Sequence, residues 1–217
     1  MSGNQMKKTA TLAILAALAT SPLTMVQATA AEFKPKAAGD ILIRGRAILV
    51  TPDESASLSA GGDTNVSNDT VPELDFSYFL TDNLALELIA ATTRHKVNWS
   101  PAGVNLGKVS LLPPTLTLQY HFMPKERFSP YVGAGLNYTF FYNEDAPGGA
   151  VTSIDYKNSL GYALQVGADY ALSGPWSVNV DVKKIFLNTD VSVNGGAITG
   201  DVDLDPWVFG VGLGYRF

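Results

Sequence analysis

The sequence predicts an all-β fold: an eight-stranded antiparallel up-and-down transmembrane β-barrel with periplasmic termini and long extracellular loops. Three observations predict it. Segments long enough to cross a bilayer as tilted strands, about ten residues or more, alternate apolar and polar side chains with period two. The connections between them alternate short and long, as periplasmic turns and outer loops do. A secretory leader stands in front of them, and no later apolar run approaches the ~20 residues that a helical span needs.

The leader carries Lys7 and Lys8 as a positive n-region, a short apolar stretch from Thr9 to Thr20, and small residues at Ala28-Thr29-Ala30. Such a stretch is too short to span a membrane as a helix. The expected organisation is a signal peptide over 1–30, cleaved on export, and one barrel domain over 31–217 in a Gram-negative outer membrane.

Strand one, Asp40 to Val50, turns Ile41, Ile43, Gly45 and Ala47 outward and Leu42, Arg44, Arg46 and Ile48 inward. Strand two, Val71 to Leu80, has Leu74, Phe76, Tyr78 and Leu80 out, with Glu73, Asp75, Ser77 and Phe79 in. Strand three, Asn83 to Arg94, has Leu84, Leu86, Leu88 and Ala90 out, with Ala85, Glu87, Ile89 and Ala91 in. Strand four, Pro113 to Phe122, has Leu116, Leu118, Tyr120 and Phe122 out, with Thr115, Thr117, Gln119 and His121 in. Strand five, Pro130 to Tyr142, faces Tyr131, Asn137, Thr139 and Phe141 inward among glycines. Strand six, Ser159 to Leu172, faces Gln165 and Asp169 inward; strand seven, Pro175 to Asn188, faces Asn179, Asp181, Lys183 and Ile185 inward. Lys184 falls on the outward side, where it is expected to snorkel to an interface.

Strand eight, Pro206 to Phe217, is the clearest. Trp207, Phe209, Val211, Leu213, Tyr215 and Phe217 lie on one face, and Val208, Gly210, Gly212, Gly214 and Arg216 on the other. Its aromatic end, Tyr215 and Phe217, is the expected assembly signal for the barrel-assembly machinery. A soluble eight-stranded barrel is the rival, with the apolar parity inward. It is disfavoured because the charged residues share the glycine-rich parity, and glycine suits a crowded lumen. The turns Thr81 to Asn83, Met123 to Ser129 and Ser173 to Pro175 are short; Thr51–Thr70, Thr93–Leu112, Asn143–Lys157 and Thr189–Asp205 read as long surface loops.

Lys and Arg number 15 against 20 Asp and Glu, for a net charge of −5. Loss of Lys7 and Lys8 makes it more negative, which argues against a nucleic-acid partner. With no cysteine, closure of the barrel must replace disulfides. No metal-ligand spacing is present, no cofactor motif appears, and an enzyme is not expected. His95 with Ser100 and Asp69 can be drawn as a triad at the rim, but nothing in the spacing fixes its geometry.

Four stretches carry a family resemblance. They are Thr81-Asp82-Asn83-Leu84-Ala85-Leu86-Glu87-Leu88, Leu112-Pro113-Pro114-Thr115-Leu116, Pro130-Tyr131-Val132-Gly133-Ala134-Gly135 and Asp205-Pro206-Trp207-Val208 with Gly214-Tyr215-Arg216-Phe217. Together they resemble the OmpW family, which includes the AlkL hydrocarbon-uptake proteins. The resemblance implies a narrow, partly apolar lumen and passage of small hydrophobic molecules across the outer leaflet; some members serve as bacteriocin receptors. Two positions depart from it: Leu111 stands where many relatives have His, and Lys183 where relatives can have an aromatic residue.

An eight-stranded barrel is just wide enough for its own side chains, so a water-filled pore is not expected. Arg44, Arg46, Glu73, Asp75, Glu87, Asp181, Lys183 and Arg216 are expected to form a polar plug in the lumen. Above it, Ile48, Ile89, Trp99, Leu111, Leu112, Pro113, Phe141, Ile185 and Leu187 are expected to form a hydrophobic vestibule and exit, with Leu58, Val97 and Val104 near its mouth. Proline cannot donate to a ladder, so Pro113-Pro114 either interrupts pairing and opens a sideways exit or merely ends the strand, and Trp99 either caps the mouth or anchors the interface. The expected activity is passive passage of small hydrophobic solutes with release into outer-membrane lipid. The alternative is a structural, adhesive or bacteriocin- and phage-receptor barrel with a sealed lumen.

Overall fold

The structure, a computed structural model, describes residues 33–100 and 103–217. The expected signal peptide lies outside these residues. Fifteen strands are found among them: β1 (Ile41–Thr51), β2 (Ser55–Leu58), β3 (Asp63–Val66), β4 (Asp69–Phe79), β5 (Leu84–Ala91), β6 (Thr93–Ser100), β7 (Val104–Leu112), β8 (Thr115–His121), β9 (Phe128–Asp145), β10 (Ile154–Tyr156), β11 (Ser159–Ala171), β12 (Trp176–Phe186), β13 (Asn188–Val193), β14 (Ile198–Asp203) and β15 (Trp207–Arg216).

Eight of them close a barrel in the order β1-β4-β5-β8-β9-β11-β12-β15, and β15 pairs back onto β1. Every pairing is antiparallel. The three short turns after β4, β8 and β11 lie at one end, together with the described N-terminal segment and Phe217. Closure leaves no edge, which is what a strand-built membrane span requires.

The side-chain parity is inverted relative to a water-soluble protein. Leu160 is 67% exposed and Leu74 61%, whereas Arg44 and Asp75 are 0% exposed. The outward face is therefore the lipid face and the lumen is the polar core. Aromatic pairs mark its two rims. Trp176 with Tyr215 (5.0 Å) and Tyr215 with Phe217 (4.7 Å) stand at the turn end. Tyr138 with Phe140 (4.8 Å) and Tyr162 with Phe186 (4.5 Å) stand at the other. Lys184 snorkels as its position requires: Nζ reaches Asp53 at 2.9 Å and lies 5.1 Å above the Trp207 ring.

The long connections are not irregular loops. Strands β3, β6, β7 and the end of β9 form one outer sheet, and β10, β13, β14 and β2 form a second. The barrel wall thus continues beyond the aromatic rim. Period two persists there, since Thr93, His95 and Val97 are buried between exposed Arg94 and Lys96. The outward face meets water instead of lipid at this height, so its residues are polar and the segments read as loops. Strand three as expected, Asn83 to Arg94, is accordingly divided between β5 and β6, and strand four begins at Thr115.

Candidate functional site

The lower lumen is filled with charge. Arg44 faces Asp75 and Arg46 faces Glu73 directly across the β1–β4 ladder. Arg44 donates from Nη1 to Asp75 (2.8 Å) and Ser77 (3.0 Å), and from Nε and Nη2 to Asp169 (3.1 and 2.9 Å). Arg46 donates to Glu73 (2.6 Å), Glu87 (3.2 Å) and Asn179 (3.3 Å). Asp181 accepts from Tyr131 Oη and Gln165 Nε2, both at 2.7 Å, and also holds Lys183. Thr117 and Gln165 donate to Glu87. Buried charges survive only when paired and hydrogen-bonded. Here the partners come from β1, β4, β5, β8, β9, β11 and β12, so the network spans the lumen.

Two further pieces complete this floor. Lys36, from the segment before β1, reaches up into the lumen and bonds Asp169 (2.8 Å), Ser129 (2.9 Å) and His121 (2.9 Å). Arg216 was expected in the plug, but it sits below it. It is level with Leu42, pairs with Asp40 at 3.3 Å and donates to the Lys34 carbonyl. Its parity is the lumen parity, but its place at the end of β15 puts it at the periplasmic rim. Asp169 joins the network as the acceptor for Arg44, Lys36 and Asn179.

Above the plug lies an apolar chamber with a partly open mouth. Ile48, Ile89, Trp99, Leu111, Pro113, Phe141, Ile185 and Leu187 all line it, as do Leu58 and Val97. Leu112 does not. It is exposed and points away from the lumen, because Leu111 opposite Thr93 takes the inward position and parity turns its neighbour out. The walls also include Val191, Val193 and Val202 of the second outer sheet, which were hidden in a segment read as a loop. Glu73 stands at the floor, and Thr64, Thr93, His95 and Tyr156 are polar members of the wall. Tyr156 stacks on Phe141 at 5.4 Å, and burial, with the Glu144 carboxylate adding to it, pushes its phenol well above the ordinary value. Trp99 is pinned by its indole N–H to the Gly61 carbonyl at 2.9 Å.

The barrel wall beside this chamber is interrupted. β5 pairs with β8 up to Ile89 opposite Thr115, and β6 resumes pairing with β7 at Thr93 opposite Leu111. The register is the same on both sides, so Ala90, Ala91 and Thr92 stand unpaired opposite Pro114, Pro113 and Leu112. Neither proline has an N–H to give. The Pro113 carbonyl is turned aside as well, accepting from Thr115 Oγ1 (3.0 Å) and Asn137 Nδ2 (3.3 Å). On the other flank the wall stays joined, through Tyr138 N–H to the Pro114 carbonyl at 3.0 Å and Leu112 opposite Phe140. Ala91 and Pro113, at the two lips of the gap, both line the chamber.

The triad that can be drawn from His95, Ser100 and Asp69 is not assembled. Asp69 accepts from the Arg94 backbone N–H at 2.8 Å, Ser100 pairs with Asp63 at the far end of β6, and His95 Nδ1 meets the Ser67 carbonyl. His121 lies at the opposite end of the lumen. Among the described residues no cluster of three or more His, Asp or Glu is placed to hold a metal ion.

Comparison with known proteins places this architecture. The OmpW family model matches residues 37–217. An uncharacterized outer-membrane protein of Sinorhizobium fredii, y4mB, is 46% identical over 82% of this chain and 79% of its own length. The dibenzothiophene metabolism operon protein PahQ of Pseudomonas aeruginosa is 32% identical over 72% of this chain and 76% of its own length. The crystal structure of the outer membrane protein OprG from Pseudomonas aeruginosa superposes with a TM-score of 0.81 at 34% identity, covering 86% of this chain and 99% of that one.

Proposed function

Because the chain belongs to the OmpW family of outer-membrane barrels, we propose that it is a passive conduit for small hydrophobic molecules that releases them sideways into the bilayer. It resides in the outer membrane, as its relatives do. The observation that carries the proposal is the stacking of three features. A nearly apolar chamber stands on a charged floor, and the wall between chamber and lipid loses its ladder at Ala90–Thr92 and Pro113-Pro114. An apolar solute in that chamber gains burial but meets a layer of ion pairs below, which excludes it through the cost of separating buried charges. The route that demands least desolvation leads through the gap into hydrocarbon. PahQ, named for an operon of dibenzothiophene metabolism, supports an apolar solute class.

A second reading keeps the lumen sealed and assigns the work to the outer sheets, as a structural or adhesive surface or a docking platform for a bacteriocin or phage. What favours it is the continuation of the wall above the rim as paired strands, a firm surface for a partner. Tyr215 and Phe217, both on the lipid face at the periplasmic rim, are well placed to meet the barrel-assembly machinery.

Uptake of naphthalene into cells with and without the protein separates the two readings, with rates normalised to folded barrel in the outer membrane. Faster entry with the barrel is the expected result. Equal rates for naphthalene and several other apolar solutes would refute the conduit.

A further inference from the structure

We propose that the chamber takes an apolar molecule bearing one hydrogen-bond donor, an alcohol, a phenol or an undissociated carboxylic acid, with His95 Nε2 as the acceptor. This deepens the conduit reading and rests on it.

His95 is 3% exposed and lines the chamber from the middle of β6. Its Nδ1 lies 2.6 Å from the Ser67 carbonyl. A carbonyl only accepts, so Nδ1 carries the proton of that bond. In the uncharged ring Nε2 is then a free acceptor. Among the described residues it has no hydrogen-bond partner, and the inward residues before and after it are Thr93 and Val97.

The floor below shows how unusual this is. Its amides and carboxylates, Gln165, Asn179 and Asp181 among them, all find partners. Only two buried side-chain polar atoms among the described residues lack a hydrogen bond: Arg216 Nη1 at the periplasmic rim, beside Asp40, and Thr64 Oγ1 on the same β3–β6 wall of the chamber as His95. A polar group buried without a partner is destabilising, and native structures keep few. The open acceptor of His95 and the unpartnered Thr64 hydroxyl, on one wall of an otherwise apolar chamber, point to a partner that arrives with the solute.

The placement suits a molecule in transit. His95 stands two inward positions above Ala91 at the lip of the gap, about 13 Å along the strand. A donor held at His95 leaves an apolar body lying toward Leu111, on the exit side of the chamber.

The test uses the full barrel in lipid nanodiscs with its two histidines labelled with ¹⁵N, the His95 signals being assigned from the His95→Phe variant. The probes are 1-naphthol, which donates; 1-methoxynaphthalene, which only accepts; and naphthalene, which does neither. Binding is measured relative to empty nanodiscs. Naphthol is expected to bind about two- to tenfold more tightly than the methoxy compound, the worth of one net neutral hydrogen bond, and to move the His95 Nε2 resonance. His95→Phe should equalise the probes while keeping naphthalene binding. If naphthalene binds but naphthol shows neither preference nor an Nε2 shift in the unaltered barrel, the inference falls and the conduit stands. If no probe binds, both fall.

Discussion

Replacing Arg44 with methionine keeps an unbranched apolar stem, shortens the side chain and removes its charge from a fully buried site. The guanidinium makes four hydrogen bonds, to Asp75, Ser77 and twice to Asp169. The lumen network holds Lys36, Arg44, Arg46 and Lys183 against Glu73, Asp75, Glu87, Asp169 and Asp181, so the variant leaves three cations for five carboxylates. Removing one partner of a buried pair costs about 3–5 kcal/mol, because the other charge stays behind. Asp169 keeps Lys36 at 2.8 Å and Asp75 keeps Arg46 at 2.9 Å, which places the loss near the lower figure. Urea unfolding in lipid vesicles, followed by tryptophan fluorescence, reads it: with m near ~2 kcal/mol/M the midpoint falls by about 1.5 M. If unpaired charge is the cause, adding Asp169→Asn to Arg44→Met recovers about 1 kcal/mol or more. A loss below about 1 kcal/mol in the single variant, or no recovery in the double, would refute the reasoning.

Gly135→Ala should lower stability by about 1–3 kcal/mol, because its Cβ would collide with the Leu116 carbonyl and the Thr117 backbone, whereas Gly45→Ala, with open space around it, should change the midpoint by less than ~0.5 kcal/mol. Lys36→Met should cost less than Arg44→Met, about 1–2 kcal/mol, since Asp169 retains both Arg44 bonds; amide exchange before β1 should quicken while the barrel strands stay protected. Ile89→Asp or Leu111→Asp, placing a carboxylate in the chamber, should slow naphthalene uptake about tenfold or more in barrels that still show heat-modifiable gel mobility. Uptake unchanged by either would remove the chamber from the route.

The barrel itself was legible because lipid outside and ion pairs inside give the strongest possible period-two contrast. Trp207 to Arg216 alternates almost without fault, and Arg44 and Asp75 fall on the same parity as the lumen glycines. Parity gives a face but not a depth, which is why Arg216 was placed one layer too high. The outer sheets were hidden for a related reason. Arg94, Lys96, Asp190 and Asp201 face water there, and polar residues on the outer face erase the contrast that marks a lipid-facing strand. Leu112 shares the outward parity of Leu116 and Leu118, so the alternation of β8 carried back through Pro114 turns it outward. Lys36 and His121 meet across 85 residues of chain, and no local pattern records such a meeting. The missing N–H at Pro113-Pro114 is a property of the residue and not of its surroundings, but whether it parts the wall or merely ends a strand depends on the pairing of β6 with β7.

The central claim is that solutes leave through the gap between Ala91 and Pro113. The chain has no cysteine, so Ala91→Cys with Pro113→Cys adds the only two thiols. Ala91 and Pro113 face each other across the gap in continuous register, so a disulfide between them would tie its two lips together. Naphthalene uptake would be measured in the oxidised and reduced double variant, with Pro113→Cys alone as the baseline. The account predicts that oxidation slows uptake about tenfold and that reduction restores the baseline. Equal uptake by oxidised and reduced barrels, at the rate of the unaltered protein, would contradict lateral release.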